Sequence, residues 1–145
     1  MKSYTDLEQS KKLAEILPLE SADMHYVRKT HDFMGNPVNG EWSHPKYGNP
    51  DSKYANYIIQ NFEHYERIPC WTVAAIIELL PYDIKGYNLV MYKSYCPNEK
   101  NFAYELSYEG DFSDYELSIL VSTSSIELID ACYEMIIKLK EKNLL

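Results

Sequence analysis

The sequence predicts one α+β domain in which an antiparallel sheet of three to four strands packs against two or three helices. The first observation is the length of 145 residues, which is typical of a single domain with one core. The second is a run of three segments in which apolar and polar residues alternate with a period of two, as in antiparallel strands. These segments are residues 87–95, 102–108 and 115–121. The third is the helical spacing of apolar residues on either side of this run.

Helical signals begin near the N-terminus. Thr5 and Glu8 have the spacing of a capping box, which satisfies backbone N–H groups at the start of a helix. We therefore expect a first helix over residues 6–17, ended by Pro18 because proline cannot continue a helix. Residues 24–29 then predict a short strand.

Two further helices flank the three alternating segments. Pro69 suits the first turn of a helix, and the segment that follows, up to Pro81, is apolar on most sides, which predicts a central helix. Ser124 and Glu127 form a second candidate capping box ahead of a C-terminal helix. The apolar face of that helix consists of Ile129, Cys132, Met135, Ile136 and Leu139. Residues 54–65 fit either a helix or a strand, and we interpret them as a helix.

A long irregular loop is expected at about residues 31–53, where glycine, asparagine and proline are too dense for a regular element. Loops longer than about 12 to 15 residues in compact domains are usually functional or disordered. Because aromatic side chains among small polar residues form rigid contact surfaces, this loop is the predicted recognition surface. Its candidate binding residues are Trp42, Tyr47, Phe33 and His44, with Tyr54 and Tyr57 nearby in the sequence. Alternatively, these aromatics cover the core beneath the loop.

Composition favours a soluble protein of a reducing compartment. Hydrophobic residues make up 46% and charged residues 25% of the chain, as in ordinary globular domains. The N-terminal residues show no apolar signal segment, and the longest apolar stretch is far shorter than the ~20 residues of a membrane span. The three cysteines are widely spaced and odd in number, which does not suggest disulfides. We expect a cytoplasmic protein that does not associate with membranes.

Acidic residues dominate the C-terminal part of the chain. The formal net charge is −8, and the acidic side chains of residues 102–135 have no lysine or arginine between them. They are Glu105, Glu109, Asp111, Asp114, Glu116, Glu127, Asp130 and Glu134. Such a surface repels phosphate, so direct binding of nucleic acid is not expected. These carboxylates could instead mimic DNA phosphates and block a nucleic-acid enzyme, or simply form a solvated surface.

Catalytic and cofactor motifs give little indication of an enzyme. Cys70 follows Pro69 at a predicted helix N-terminus, where a thiol can become a nucleophile, but a buried and inert thiol is the simpler interpretation. The four histidines lack the i, i+3 or i, i+4 spacing of a helical metal site. Neither glycine-rich phosphate-binding motif occurs. We therefore assign no catalytic residue, metal ligand or cofactor.

Three blocks of the sequence carry a resemblance. They are DLEQSKKLAEILPLESADMHYV (residues 6–27), PCWTVAAIIELLP (residues 69–81) and DACYEMIIKLKEKNLL (residues 130–145). They resemble a family of short uncharacterised proteins encoded in gut Bacteroidales genomes, often near prophage or other mobile elements. The resemblance implies this context and no activity.

The sequence as a whole favours a non-enzymatic cytoplasmic binding or adaptor protein of a phage or mobile element, with a protein as its partner. One alternative is an acidic inhibitor of a nucleic-acid-processing enzyme, based on the carboxylates of residues 102–135. A cysteine-dependent enzyme built on Cys70 is the other.

Overall fold

The computed structural model describes residues 1–48, 64–111 and 117–145. The described helices are α1 (Leu7–Ala14), α2 (Val73–Leu79) and α3 (Leu128–Glu141), and Leu19–Ser21 form a short 3-10 helix. The described strands are β1 (Met24–His31), β2 (Lys46–Tyr47), β3 (His64–Cys70), β4 (Asp83–Ile84), β5 (Tyr87–Cys96), β6 (Asn101–Asp111) and β7 (Leu117–Ser125). These elements confirm the predicted α+β class, with helices packed against antiparallel strands.

The strands form two sheets, of which the sequence indicated one. The predicted meander lies in a four-stranded sheet with the order β4-β5-β6-β7. A second, three-stranded sheet has the order β2-β1-β3. The local signal for this second sheet is weak because β2 has only two residues and β3 contains a proline, Pro69.

Contacts between residues divide the chain into two compact units. We name residues 4–75 the N-terminal unit, and residues 76–145 together with residues 1–3 the C-terminal unit. The boundary between Ala75 and Ile76 falls inside α2. The expectation of a single domain over residues 1–145 stays a prediction.

β1 is the central strand of the sheet in the N-terminal unit. It pairs antiparallel with β3 along its length, and its other edge pairs with β2 near its N-terminal end. Met24 and Tyr26 of β1 form the core of this unit with Ile68 and Cys70 of β3. Helix α1 packs against β3.

The first helix is shorter than predicted and has a different cap. The Asp6 carboxylate accepts a hydrogen bond from the Gln9 N–H (2.9 Å), and the Gln9 side chain accepts one from the Asp6 N–H (3.1 Å). The expected capping box of Thr5 and Glu8 is therefore wrong. Thr5 is fully buried, and its N–H donates to the Trp71 carbonyl at 2.9 Å. The backbone N–H of Thr5 is therefore used in this pairing, whereas the predicted capping box would have bonded it to the Glu8 side chain.

Helix α2 starts later than the sequence predicted. Pro69 and Cys70 belong to β3, because their backbone pairs with β1 in the sheet. The helix begins after Thr72, whose N–H and hydroxyl both donate to the Asp23 carboxylate, at 2.9 and 2.5 Å. The expected helix start at Pro69 is therefore wrong.

The C-terminal unit consists of the four-stranded sheet and the helix that packs on β6 and β7. All members of the predicted apolar face of α3 are fully buried; they are Ile129, Cys132, Met135, Ile136 and Leu139. Polar contacts support the same packing. The Thr123 hydroxyl donates to the Ala131 carbonyl (2.9 Å), and the Lys138 ammonium donates to the Ser122 carbonyl (2.8 Å).

The start of α3 also differs from the expectation. Glu127 occupies the N-cap position without a side-chain capping bond, and Ser124 is part of β7, so the predicted capping box is wrong. The Glu127 carboxylate accepts the Lys2 N–H at 2.9 Å, and the Lys2 ammonium donates to Asp130 at 2.9 Å. Lys2 in the N-terminal segment thus donates hydrogen bonds to two acidic side chains at the start of α3.

Two further expectations concern residues 54–65 and the membrane. Residues 54–63 lie outside the described residues, and His64 and Tyr65 are the first residues of β3.

None of the helices in the described ranges combines the length and apolar composition needed to cross a membrane.

Candidate functional site

The chain turns back after β1 and runs along the same strand. We name residues 32–36 the hairpin tip and residues 37–47 the return segment. Three N–H groups of the return segment donate to β1 carbonyls: Val38 to Thr30 at 2.8 Å, Gly40 to Lys29 at 3.1 Å and Ser43 to Val27 at 2.9 Å. β2 continues the pairing at the far end. The predicted loop therefore lacks regular structure over much of its length but is tied to β1; residues 49–53 lie outside the described residues.

Gly40 permits the close approach of the return segment to β1. A Cβ atom at this position would lie 2.5 Å from the backbone oxygen of Lys29. Any larger residue would push the two backbones apart. The glycine therefore fixes the path of the return segment.

Asp32 holds the hairpin tip in one conformation. Its Oδ1 atom accepts the N–H groups of Met34 and Asn36, both at 2.9 Å, and its Oδ2 atom accepts the side-chain amide of Asn36 at 3.2 Å. These hydrogen bonds hold the pKa of the Asp32 carboxyl below its usual range, and the bond from the Asn36 N–H has the largest effect. Gly35 adopts a positive φ of 81°, which glycine tolerates without strain. The tip is an ordered turn.

Phe33 and Met34 project from this turn into solvent. Phe33 is 67% exposed and Met34 is 70% exposed. Phe33 is one of the candidate binding residues predicted from the sequence, whereas Met34 is not. The run of Asp32, Phe33, Met34, Gly35 and Asn36 carried the signal, because Asp at the start of a turn and Gly near its end favour this geometry.

Trp42 lies on the return segment and is half-buried. Its ring packs against the core of the N-terminal unit, and the Arg28 guanidinium lies 4.9 Å from the ring centroid. Arg28 also pairs with the Glu66 carboxylate at 2.5 Å. These contacts agree with the alternative in which the aromatics of the loop cover the core.

Tyr47 and His44 complete the set of predicted binding residues. Both are exposed, and Tyr47 is 84% exposed. Tyr47 pairs with Met24 at the start of β1, whereas Phe33 lies beyond its end. An eight-residue strand spans roughly 25 Å, so the structure does not bring Phe33 and Tyr47 into one small patch. Tyr54 and Tyr57 lie outside the described residues.

Cys70 is fully buried in β3. Its Sγ atom lies 3.4 Å from the Thr5 carbonyl oxygen and 3.6 Å from the Thr5 hydroxyl. Burial raises the pKa of the Cys70 thiol, which lowers the fraction of reactive thiolate at neutral pH. A thiol in this position is neither accessible nor activated. The geometry therefore does not support Cys70 as the nucleophile of a cysteine-dependent enzyme.

His31 and His64 are in contact, whereas His25 and His44 lie elsewhere in the N-terminal unit. The rings of His31 and His64 meet edge to face at the paired ends of β1 and β3, with centroids 5.0 Å apart. The Nδ1 atom of His25 lies 2.8 Å from the Gly48 carbonyl oxygen. Over residues 1–48, 64–111 and 117–145, no three side chains of His, Cys, Asp or Glu are grouped to hold a metal ion.

Several acidic residues of the C-terminal unit form internal hydrogen bonds. The Glu109 carboxylate accepts the Tyr92 hydroxyl at 2.7 Å and also the Ser107 hydroxyl. Glu127 and Asp130 both bind Lys2, as described for α3. Asp114 and Glu116 lie outside the described residues. Carboxylates that are bonded internally are less available to mimic DNA phosphates.

Comparisons of the chain with protein-family models, curated proteins and solved structures find no match. The resemblance to the Bacteroidales family stays an expectation. Function is therefore inferred from the geometry of the exposed surfaces.

Proposed function

We propose that this protein is a non-enzymatic binding protein of the bacterial cytoplasm that recognises a protein partner through its hairpin tip. The observation that carries the proposal is the exposure of Phe33 and Met34, at 67% and 70%, on a turn held by the Asp32 carboxylate. Because the backbone of this turn is already ordered, little backbone conformational freedom is lost when its apolar side chains bind a partner. They are also costly to leave in water without a partner.

The remaining candidate residues have different roles in this proposal. Trp42 positions the return segment through its contacts with the core and with Arg28, and it contributes to binding indirectly. Tyr47 is exposed but lies at the opposite end of β1, so it is not part of the proposed recognition element. The resemblance of three sequence blocks to proteins encoded near mobile elements supports a partner from the host bacterium or from the element itself.

The test first identifies the partner and then measures binding with purified proteins. A photoreactive phenylalanine analogue replaces Phe33 in one sample and Tyr47 in the control sample, and crosslinked proteins are identified by mass spectrometry. We expect a specific crosslink from the Phe33 position alone. Replacing both Phe33 and Met34 by alanine should then weaken binding of the purified partner by roughly 30-fold or more, because an apolar anchor often contributes about 2 kcal/mol or more.

Stability measurements separate recognition from folding. The Phe33→Ala, Met34→Ala double variant should melt within a few degrees of the wild-type protein, since both side chains are exposed. Trp42→Ala should instead lower the melting temperature, and any binding defect should follow the unfolded fraction. Equal crosslinking from Phe33 and Tyr47, or full affinity in the double variant, would show that the tip is not the recognition element.

A further inference from the structure

Among the described residues, the outer edge of β5 is paired only near its start. β4 pairs only with the first two residues of β5, Tyr87 and Asn88. The N–H of the next residue, Leu89, points away from β6 and donates to the Tyr82 carbonyl at 3.1 Å. Because the direction of backbone groups alternates along a strand, the N–H and C=O groups of residues 91, 93 and 95 also point outward. No other strand of the described residues pairs with this edge.

The side chains at these three positions lie on the sheet face that carries α3. Met91 pairs across the sheet with Leu106, which pairs with Thr123, and the Thr123 hydroxyl contacts α3. Residues directly opposite each other on neighbouring strands share a face. Lys93 and Tyr95 follow Met91 on this face with a period of two.

Exposed apolar side chains surround Lys93 on this part of the face. Met91 is 43% exposed, Tyr95 55% and Phe102 49%. The Lys93 ammonium lies 5.3 Å from the ring centroids of both Phe102 and Tyr104. A shallow cavity of about 220 Å³ beside Lys93 is lined by these rings and Ile126, and also by Met1, Asn101 and Glu127. An added strand would therefore find backbone partners at its edge and a recess for its side chains.

We propose that β5 receives an extended segment of another protein as an added strand, with an acidic residue opposite Lys93 and apolar residues two positions away on each side. Lys93 is the one charged residue of β5, so a carboxylate directly opposite it gives the favourable cross-strand pair. The apolar residues would then face Met91 and Tyr95. This surface belongs to the C-terminal unit and the hairpin tip to the N-terminal unit, so the proposal adds a second binding site to the proposed function.

Charge also argues against a second copy of this chain as the occupant. β5 contains no Asp or Glu, so self-pairing of two β5 edges cannot place a carboxylate opposite Lys93. Pairing centred on residue 93 would set two lysines against each other, which is destabilising. A lysine at the centre of an edge strand commonly prevents such self-association.

Synthetic peptides test the proposal directly. The probe is Thr-Thr-Val-Thr-Glu-Thr-Val-Thr-Thr, which places Val, Glu and Val on one face of an extended strand, and the matched control carries Lys in place of Glu. We expect the Glu peptide to bind roughly tenfold more tightly than the Lys peptide in fluorescence anisotropy, from one attractive and one repulsive cross-strand pair. In wild-type protein, NMR amide signals of Met91, Lys93 and Tyr95 should shift with the Glu peptide.

Charge reversal and backbone blocking complete the design. Lys93→Glu should reverse the preference, so that the Lys peptide binds more tightly, while Lys100→Glu makes the same charge change in the adjoining turn and should leave the preference unchanged. A Glu peptide methylated at the amide nitrogens of its Glu and two Val residues should not bind, because those N–H groups would face β5. Equal binding of the two peptides, binding of the methylated peptide, or no binding at millimolar concentration would overturn the proposal. A dimer in analytical ultracentrifugation that Lys93→Glu alters would identify a second copy as the occupant and overturn it as well.

Discussion

Thr5 shows how a single residue in this protein can serve several partners. Its hydroxyl accepts the Trp71 N–H at 3.2 Å and lies 2.7 Å from the Ser10 hydroxyl. Its carbonyl accepts the Tyr26 hydroxyl at 2.9 Å and the Cys70 thiol. Buried polar groups require such partners, because an unpaired one costs about 1–3 kcal/mol. In the described residues, no buried side-chain nitrogen or oxygen lacks a hydrogen bond.

The reactivity of Cys70 is a prediction at the residue scale. Because burial raises its pKa, the thiol stays protonated in the folded state at pH values where a free cysteine, with a pKa of ~8.5, is already ionised. We expect slow native labelling of Cys70 by a thiol reagent from pH 7 to pH 9, and fast labelling in denaturant. Mass spectrometry of proteolytic peptides distinguishes Cys70 from Cys96 and Cys132.

Linkage gives the sign of the accompanying effect on stability. The unfolded chain loses the Cys70 proton at lower pH than the folded chain does, so the folded state is favoured below the unfolded pKa. The contribution is lost as pH rises above that value. Burial acts in the same direction on Cys132, whose pKa is raised to about 12. Rapid native labelling of Cys70 near pH 7 would contradict its description as an inert core residue.

At the scale of elements, the hairpin of the N-terminal unit explains how an irregular segment can be ordered. Its return segment has regular strand geometry only at Lys46–Tyr47, yet the hydrogen bonds to β1 satisfy its backbone at intervals. Gly40 and the Asp32 turn fix its path at two points. The segment thus obtains order from pairing with β1, although its turn-forming residues disfavour a long strand.

Helix α3 provides a prediction at the same scale. Leu139 is fully buried and Lys140, its neighbour, is exposed. Leu139→Ala should lower the free energy of unfolding by about 2–5 kcal/mol, because it removes buried methyl groups and leaves a cavity. Lys140→Ala is the matched control and should change it by less than ~0.5 kcal/mol. Urea unfolding followed by circular dichroism measures both variants, and equal stability of the two would show that α3 is not part of the core.

The whole molecule consists of two compact units, and the chain passes between them at residues 3–4 and again within α2. The sequence predicted one domain, which implies that the two units unfold together. A helix that continues across the boundary would have to break for either unit to unfold alone. Cooperative unfolding of the full chain is therefore the expected behaviour.

The rate of Cys70 labelling in the Leu139→Ala variant tests this cooperativity. The substitution lies in the C-terminal unit and the thiol in the N-terminal unit. If the chain unfolds as one domain, a destabilisation of about 3 kcal/mol should raise the native labelling rate of Cys70 on the order of 100-fold, because labelling follows the population of the open state. An unchanged labelling rate in Leu139→Ala would show that the two units open independently.

Local sequence patterns predicted the elements whose burial is set by their own periodicity. The alternation in β5, β6 and β7 was recognisable because successive side chains of a strand point to opposite faces of the sheet, and the apolar face of α3 because it is buried along the helix. Helix boundaries were less predictable. Thr5 and Pro69 carry local signals for a helix start. In the structure, however, Pro69 is paired in β3, and Tyr4, next to Thr5, forms a β-bridge with Thr72. This long-range pairing outweighs local helix propensity.

The sequence by itself determined the α+β class, the antiparallel meander and the buried face of α3, and it named Phe33 and Tyr47 as candidate binding residues without deciding whether they are exposed. Only the tertiary structure decided that Trp42 packs on the core, that Met34 stands beside Phe33 on an ordered tip, and that the edge of β5 presents Lys93 among aromatic rings. The physical reason is that periodicity reports which face of an element is buried. Exposure at a turn or at a sheet edge depends instead on which distant strand supplies, or fails to supply, the hydrogen-bond partners.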